Sequence, residues 1–222
     1  MWEGENTDWQ DWRIESTDTF HLTPDLEEVT MSFLRTWFTA IVNPVRSFDA
    51  LKSRPAPRWG FCAVLIRFAG TSLTSGVLGL LLGRKPFEPS YLTFLPTERY
   101  YAAQIFFLPL FGLAVWLLMS AVVHVVLRLA AHESDFDQVL NIVGMGMLVP
   151  MPVVWLWDWS MILSNSFQMA VMAVSHSIFQ LWEAWVEAIG LRRVLGLRAL
   201  PAAGLALLAN VLFVLLGMMF VR

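Results

Sequence analysis

The chain has 222 residues, and its 57% apolar and 15% charged residues exclude an ordinary soluble domain, which carries about 25% charged residues. The net charge of −3 divides into −8 for residues 1–30 (nine acids, one base) and +5 for the remainder (nine acids, fourteen bases). No basic cluster marks a nucleic-acid surface, and a single cysteine excludes an internal disulfide and cysteine-rich metal sites. This composition is typical of a chain whose outer surface meets lipid.

Residues 1–22 form an acidic segment without hydrophobic periodicity. Trp9 and Trp12 lie among acids and amides there. One interpretation is a mobile cytoplasmic tail, and the other is a tail that binds a partner through these two tryptophans. A secretory signal peptide needs a basic start and an apolar run, and this segment has neither.

Residues 23–58 are predicted to form amphipathic helices. Thr23 can cap a helix that starts at Pro24, and Asn43–Pro44 ends this helix and starts a second one over residues 44–53. One face of the first helix carries apolar residues at helical spacing: Phe33, Leu34, Trp37, Phe38 and Ile41. Because the run is too short and too amphipathic to span lipid, we expect it to lie in the membrane interface. Packing against the other helices is the alternative.

Residues 59–222 contain five apolar stretches that predict membrane-spanning helices. Each can cross a hydrocarbon core of ~30 Å at about 1.5 Å rise per residue, and lipid forces helices because it offers the backbone no partners. The stretches lie at about 60–83, 103–128, 138–157, 167–189 and 200–221. The predicted fold class is therefore all-α, an integral membrane bundle of about five transmembrane helices with N-terminal interfacial amphipathic helices.

Basic residues predict the orientation, because cytoplasmic loops carry an excess of Lys and Arg. With five spans, ten basic residues share the side of the N-terminal segment: Arg13, Arg35, Arg46, Lys52, Arg54, Arg58, Arg128, Arg192, Arg193 and Arg198. The opposite side holds four: Arg84, Lys85, Arg99 and Arg222. We expect a cytoplasmic N-terminus and an outside C-terminus, whereas four spans would place both termini on one side. Frequent leucine, valine and arginine favour a bacterial inner membrane.

Charged residues lie inside two of the predicted spans. Arg67 is about two turns inside the first span from the cytoplasmic side, and Glu183 lies at a matching depth in the fourth. Because an unpaired charge in lipid is costly, we expect Arg67 to pair with Glu183 or with Glu187. His176 shares a helix face with both glutamates, at i, i+7 and i+11. A packing clamp and an ion or proton path both fit this pattern.

Small residues and a proline predict close helix packing. Gly79 and Gly83 form a small-xxx-small pair, and Gly76 precedes Gly79 by about one turn. Gly144 and Pro150 are further candidates in the third stretch. Such residues let helix backbones approach closely.

No catalytic motif is recognisable in the sequence. It contains no HExxH, GxSxG, Walker or GxGxxG pattern and no Cys/His cluster with metal-ligand spacing. Asp158 lies between Trp157 and Trp159, which are typical of an aromatic belt at the membrane interface. We therefore expect no enzymatic activity, no metal and no cofactor.

Four groups of residues follow one another in an informative order. They are Asn43-Pro44 followed by Phe48; Ser134-Asp135-Phe136 with Leu140, Gly144 and Pro150; Trp182 and Trp185 followed by Gly190-Leu191; and Ala202-Ala203. This order resembles the Yip1 domain family of five-span membrane proteins over roughly residues 40–222, as a bacterial-type member. The departures are the acidic tail and Ala131-His132-Glu133, where the family often has glycines. The resemblance implies a non-enzymatic membrane protein, since eukaryotic relatives look like adaptors that engage small GTPases in vesicle traffic.

These features lead to two hypotheses of function. The first is an adaptor or a structural, accessory subunit that binds other membrane proteins through helix faces. Its partners would be membrane lipid and other integral membrane proteins or a larger membrane complex, with a homo-oligomer as one form and no nucleic acid. The alternative is a small transporter or channel that uses the polar stripe of Arg67, Glu183 and His176.

Overall fold

The computed structural model describes residues 23–52, 57–84, 96–166 and 168–220. The predicted tail of residues 1–22, with Trp9 and Trp12, lies outside the described residues. The described helices are α1 (Thr23–Val42), α2 (Pro44–Lys52), α3 (Pro57–Thr71), α4 (Val77–Leu81), α5 (Tyr100–Leu129), α6 (Phe136–Leu148), α7 (Met151–Leu163), α8 (Met169–Leu195) and α9 (Ala199–Phe220). The described part of the chain consists of helices joined by short connections and contains no strand, which confirms the predicted all-α fold class.

Two of the predicted spans are composite helices. A π-helical segment, Ser72–Gly76, joins α3 to α4 in the first crossing. Pro150 separates α6 from α7 in the third, because proline has no N–H to continue the helical hydrogen bonds. The third crossing is also longer than the predicted 138–157, since α7 continues to Leu163.

Within the described ranges, four segments are long and apolar enough to cross a membrane: Arg58–Leu81, Thr97–Leu129, Phe136–Leu163 and Ala199–Met218. The fourth predicted span corresponds to α8, whose 27 residues extend about 40 Å. It runs between opposite ends of the bundle, because Asn165 just before it contacts Arg84 and Leu195 at its end contacts His132. The helix therefore completes a bundle of about five crossings, although its two glutamates, Glu183 and Glu187, make it less apolar than those four segments.

The centre of the bundle is α6, in which every residue from Val139 to the start of α7 is buried. It packs closely on α3, where a Cβ on Gly144 would stand 2.6 Å from the Gly60 Cα and carbonyl oxygen. The Gly60 N–H donates to Asn141 Oδ1 at 2.9 Å, and the Trp116 indole of α5 donates to the Leu140 carbonyl at 2.9 Å. This close approach places the third crossing against the first.

The short helix α2 packs on the bundle at the end that carries most of the exposed basic residues. Phe48 is fully buried, and its ring would lie 2.9 Å from a Cβ on Gly190 of α8. Arg193 donates to both carboxylate oxygens of Asp49, at 2.9 and 2.8 Å. These hydrogen bonds and the nearby guanidinium charge hold the pKa of the Asp49 carboxyl below its usual value. The short helix α2 is therefore held against α8.

At the opposite end of the bundle, two of the predicted packing glycines have other surroundings. Gly83 adopts φ +64° after α4, a turn conformation that favours glycine, and no described heavy atom lies within 4 Å of its Cβ position. Beside Gly79 the nearest atom is the Arg84 Cβ at 4.0 Å, whereas Gly76 faces Ile105 of α5 at 3.2 Å. The helix ends at Leu81, before Gly83, and the described residues place no other helix against Gly79 or Gly83, so close packing of this pair stays a prediction.

Candidate functional site

Arg67 points from α3 into the interior of the bundle, where its side chain is 8% exposed. Its Nη1 donates to Glu183 Oε2 at 2.5 Å and to the Met147 carbonyl at 2.7 Å. The last carbonyls of a helix have no intrahelical partner, so the break after α6 leaves Met147 available for this bond. The guanidinium also lies over the rings of Phe213, at 4.8 Å, and Phe68, at 5.4 Å.

Two glutamates of α8 face the same interior. Glu183 and Glu187 are both 1% exposed, and they lie one turn apart on one side of the helix. Asn210 of α9 donates from Nδ2 to Glu187 Oε2 at 2.8 Å and to the Ala206 carbonyl at 2.9 Å. Arg67, Glu183, Glu187 and Asn210 are called the buried cluster below.

The buried cluster is tightly packed. A Cβ on Gly146 of α6 would lie 2.4 Å from Glu187 Cγ, so the glutamate side chain rests directly on the α6 backbone. Side chains from three crossings, α3, α8 and α9, and backbone from α6 therefore meet at one point. Because breaking a buried charge pair leaves an uncompensated charge, the arrangement holds these helices together.

His176, the third member of the predicted stripe, has a different partner. Its Nε2 lies 3.4 Å from Asp158 Oδ1 of α7, and its Nδ1 is 2.9 Å from the Met172 carbonyl. Seven residues separate it from Glu183, a rise of about 10 Å along α8. The stripe is therefore divided into two separate polar contacts at different depths.

Sequence reasoning missed two residues of these contacts. Asn210 is a single amide in an otherwise apolar last span, and this isolated polar residue was the only sequence feature that could have indicated its role. Asp158 was interpreted as part of an aromatic belt, yet it is 7% exposed and faces His176. Among the described residues, no group of three or more His, Cys, Asp or Glu side chains is placed to hold a metal ion.

Comparison with known protein families shows the family to which the chain belongs. The model of the Yip1 domain matches residues 38–221. This chain belongs to the Yip1 domain family. The Yip1 domain thus extends from the second half of α1 through α9 and contains the whole buried cluster. Comparisons with curated proteins and with solved structures find no match. With its long apolar helices, the Yip1 domain identifies an integral membrane protein.

Proposed function

We propose that this Yip1-family protein is a non-enzymatic adaptor or accessory subunit that binds other integral membrane proteins. The observation that carries the proposal is the closed arrangement of the buried cluster. Arg67 and Glu183 form an ion pair in the interior, and the outer surfaces of the crossings carry apolar side chains. Recognition within the membrane then depends on the shape and packing of helix faces.

The outer face of α9 is the surface best suited to such recognition. It consists of exposed residues at helical spacing: Leu200, Gly204, Leu207, Val211 and Leu215. No described heavy atom lies within 4 Å of the Gly204 Cβ position, so a partner backbone could approach closely there. The opposite face of α9 packs on α8 and α5, which holds the outer face in a fixed orientation.

Photocrosslinking in native membranes tests the proposal. We expect a benzophenone amino acid at Val211 or Leu215, adjacent on the outer face, to form adducts with one and the same integral membrane protein, or with a second copy of this chain. The same group at Met145, which is fully buried in α6, should react only within the chain. Lipid adducts alone at both outer positions, together with a monomer in nanodiscs, would contradict an adaptor role.

The alternative of a small transporter or channel receives less support. It needs Arg67, Glu183 and His176 to line one continuous path. Instead, Arg67 pairs with Glu183, and His176 lies beside Asp158 about two turns away along α8. Both contacts are of the kind that fixes helices against each other.

We further propose that the membrane is a bacterial inner membrane, with the N-terminus in the cytoplasm and the C-terminus outside. The orientation is supported by the exposed basic residues at one end of the bundle, since basic segments stay cytoplasmic, and the bacterial membrane by the frequent leucine, valine and arginine. In intact cells, we expect a protease to remove a tag from the C-terminus and to leave an N-terminal tag untouched. Equal access to both tags from one side would exclude five crossings.

A further inference from the structure

We propose that the buried cluster binds one proton, held on the carboxyl group of Glu187. The cluster contains two carboxyl groups and one guanidinium, so its fixed charges do not cancel. Arg67 is already committed to Glu183 through a 2.5 Å contact. A second ionised carboxylate, 1% exposed inside a membrane bundle, would have no counter-charge.

The surroundings of Glu187 contain no second cation among the described residues. Its own helix presents Glu183, α3 presents Arg67, and α9 presents the neutral Asn210. The third crossing contributes the Gly146 backbone. Arg192, five residues from Glu187 and about 8 Å along α8, is exposed at the end of the bundle. In the other direction His176, beside Asp158, lies eleven residues from Glu187, about 16 Å along the helix. At the end of the bundle, Arg193 is engaged by Asp49 of α2.

The hydrogen-bonding pattern of the cluster calls for one more donor. Glu187 Oε2 accepts from Asn210, whereas Glu187 Oε1, Glu183 Oε1 and Asn210 Oδ1 accept no hydrogen bond from the described residues. All three atoms are acceptors when the carboxyls are ionised. A proton on Glu187 Oε1 converts that acceptor into a donor and removes the excess negative charge at the same time.

Proton binding at Glu187 links pH to the packing of α8 against α9. The folded bundle holds a proton that the glutamate releases when it is exposed to neutral water. Stability therefore decreases as pH rises, because the unfolded chain then binds fewer protons than the folded one. The same charge count could be satisfied by a sodium ion, which the experiment below separates from a proton.

Infrared spectroscopy of the full chain in lipid nanodiscs tests the proposal. We expect a carboxylic-acid C=O stretch, sensitive to deuterium exchange, at pH 7 in the wild type. Glu187→Gln should remove this band, because glutamine keeps the shape and the contact with Asn210 but carries no acid proton. Asp158→Asn is the matched control at the other intramembrane contact, and its spectrum should retain the band.

Three results would overturn the proposal. They are the absence of the band from the wild type, its survival in Glu187→Gln, and its loss when potassium is replaced by sodium at constant pH. The last would assign the site to a metal ion. A second measurement uses only the wild-type protein. The intensity of the band and the unfolding temperature should decrease together as pH rises above 7. An unfolding temperature that stays constant while the band disappears would contradict the link to packing.

Discussion

Replacing Arg67 with methionine is expected to destabilise the bundle by about 3–5 kcal/mol, the range for removing one partner of a buried charge pair. Methionine fills a similar volume but leaves the buried Glu183 carboxylate without its cation. It also removes the hydrogen bond to the Met147 carbonyl. The effect is measurable as a lower unfolding temperature of the nanodisc-reconstituted protein, followed through the fluorescence of its tryptophans.

Two further variants distinguish the effect of breaking the ion pair from the effect of removing any arginine. Arg84→Met makes the same change at the end of the bundle, where Arg84 hydrogen bonds to Asn165 and to the Ile162 carbonyl in a more exposed setting. Arg84→Met should lower the free energy of unfolding by no more than about 1–2 kcal/mol. The double variant Arg67→Met/Glu183→Leu should recover most of the stability lost in Arg67→Met, because apolar pairs often replace buried ion pairs at little cost. Equal unfolding temperatures for the wild type and Arg67→Met would refute the clamp.

Gly144→Ala is expected to lower stability by an amount near the upper end of the roughly 1–3 kcal/mol typical of overpacking. A single methyl group at this position would meet the Gly60 backbone at 2.6 Å. Backbone atoms cannot rotate away as a side-chain tip can, so α3 and α6 must separate. That separation also strains the hydrogen bond from Gly60 to Asn141.

Gly204→Ala provides the matched control in the outer face of α9. The substitution is identical, but no described heavy atom lies within 4 Å of the new Cβ. We expect a change within about 0.5 kcal/mol, or slight stabilisation, because alanine favours helix more than glycine does. The relevant measurement is the difference in unfolding temperature between the two alanine variants in the same nanodiscs. If Gly144→Ala is as stable as Gly204→Ala, the third crossing does not depend on this close approach.

The sequence predicted the number and order of crossings well because bilayer thickness imposes a minimum length on every apolar run. The predicted ends of the spans were less accurate where a charged residue pairs with a residue of another helix. The third span was predicted to end at residue 157, since Asp158 interrupts the apolar run. In the folded chain Asp158 faces His176, so α7 continues past it to Leu163. A single sequence does not reveal such compensation between two helices.

The buried cluster was predictable only in part, for a related reason. Matching depths selected Arg67, Glu183 and Glu187, because depth follows directly from position in the chain. Which glutamate contacts the arginine depends on the rotation of α8 about its axis, and so does the participation of Asn210 on α9. Those rotations are set by packing, for example where the glycines of α6 let Gly60 and Glu187 approach its backbone.

The contact between Arg67 and Glu183 also joins residues that the ribosome makes at very different times. The two are separated by 116 positions. At roughly 5–20 residues per second, the glutamate is synthesised about 6–23 s after the arginine. Throughout that interval the nascent chain carries a cation without its carboxylate partner. A polypeptide truncated before α8 would keep this defect permanently, which gives membrane proteases and chaperones a chemical difference between unfinished and complete chains.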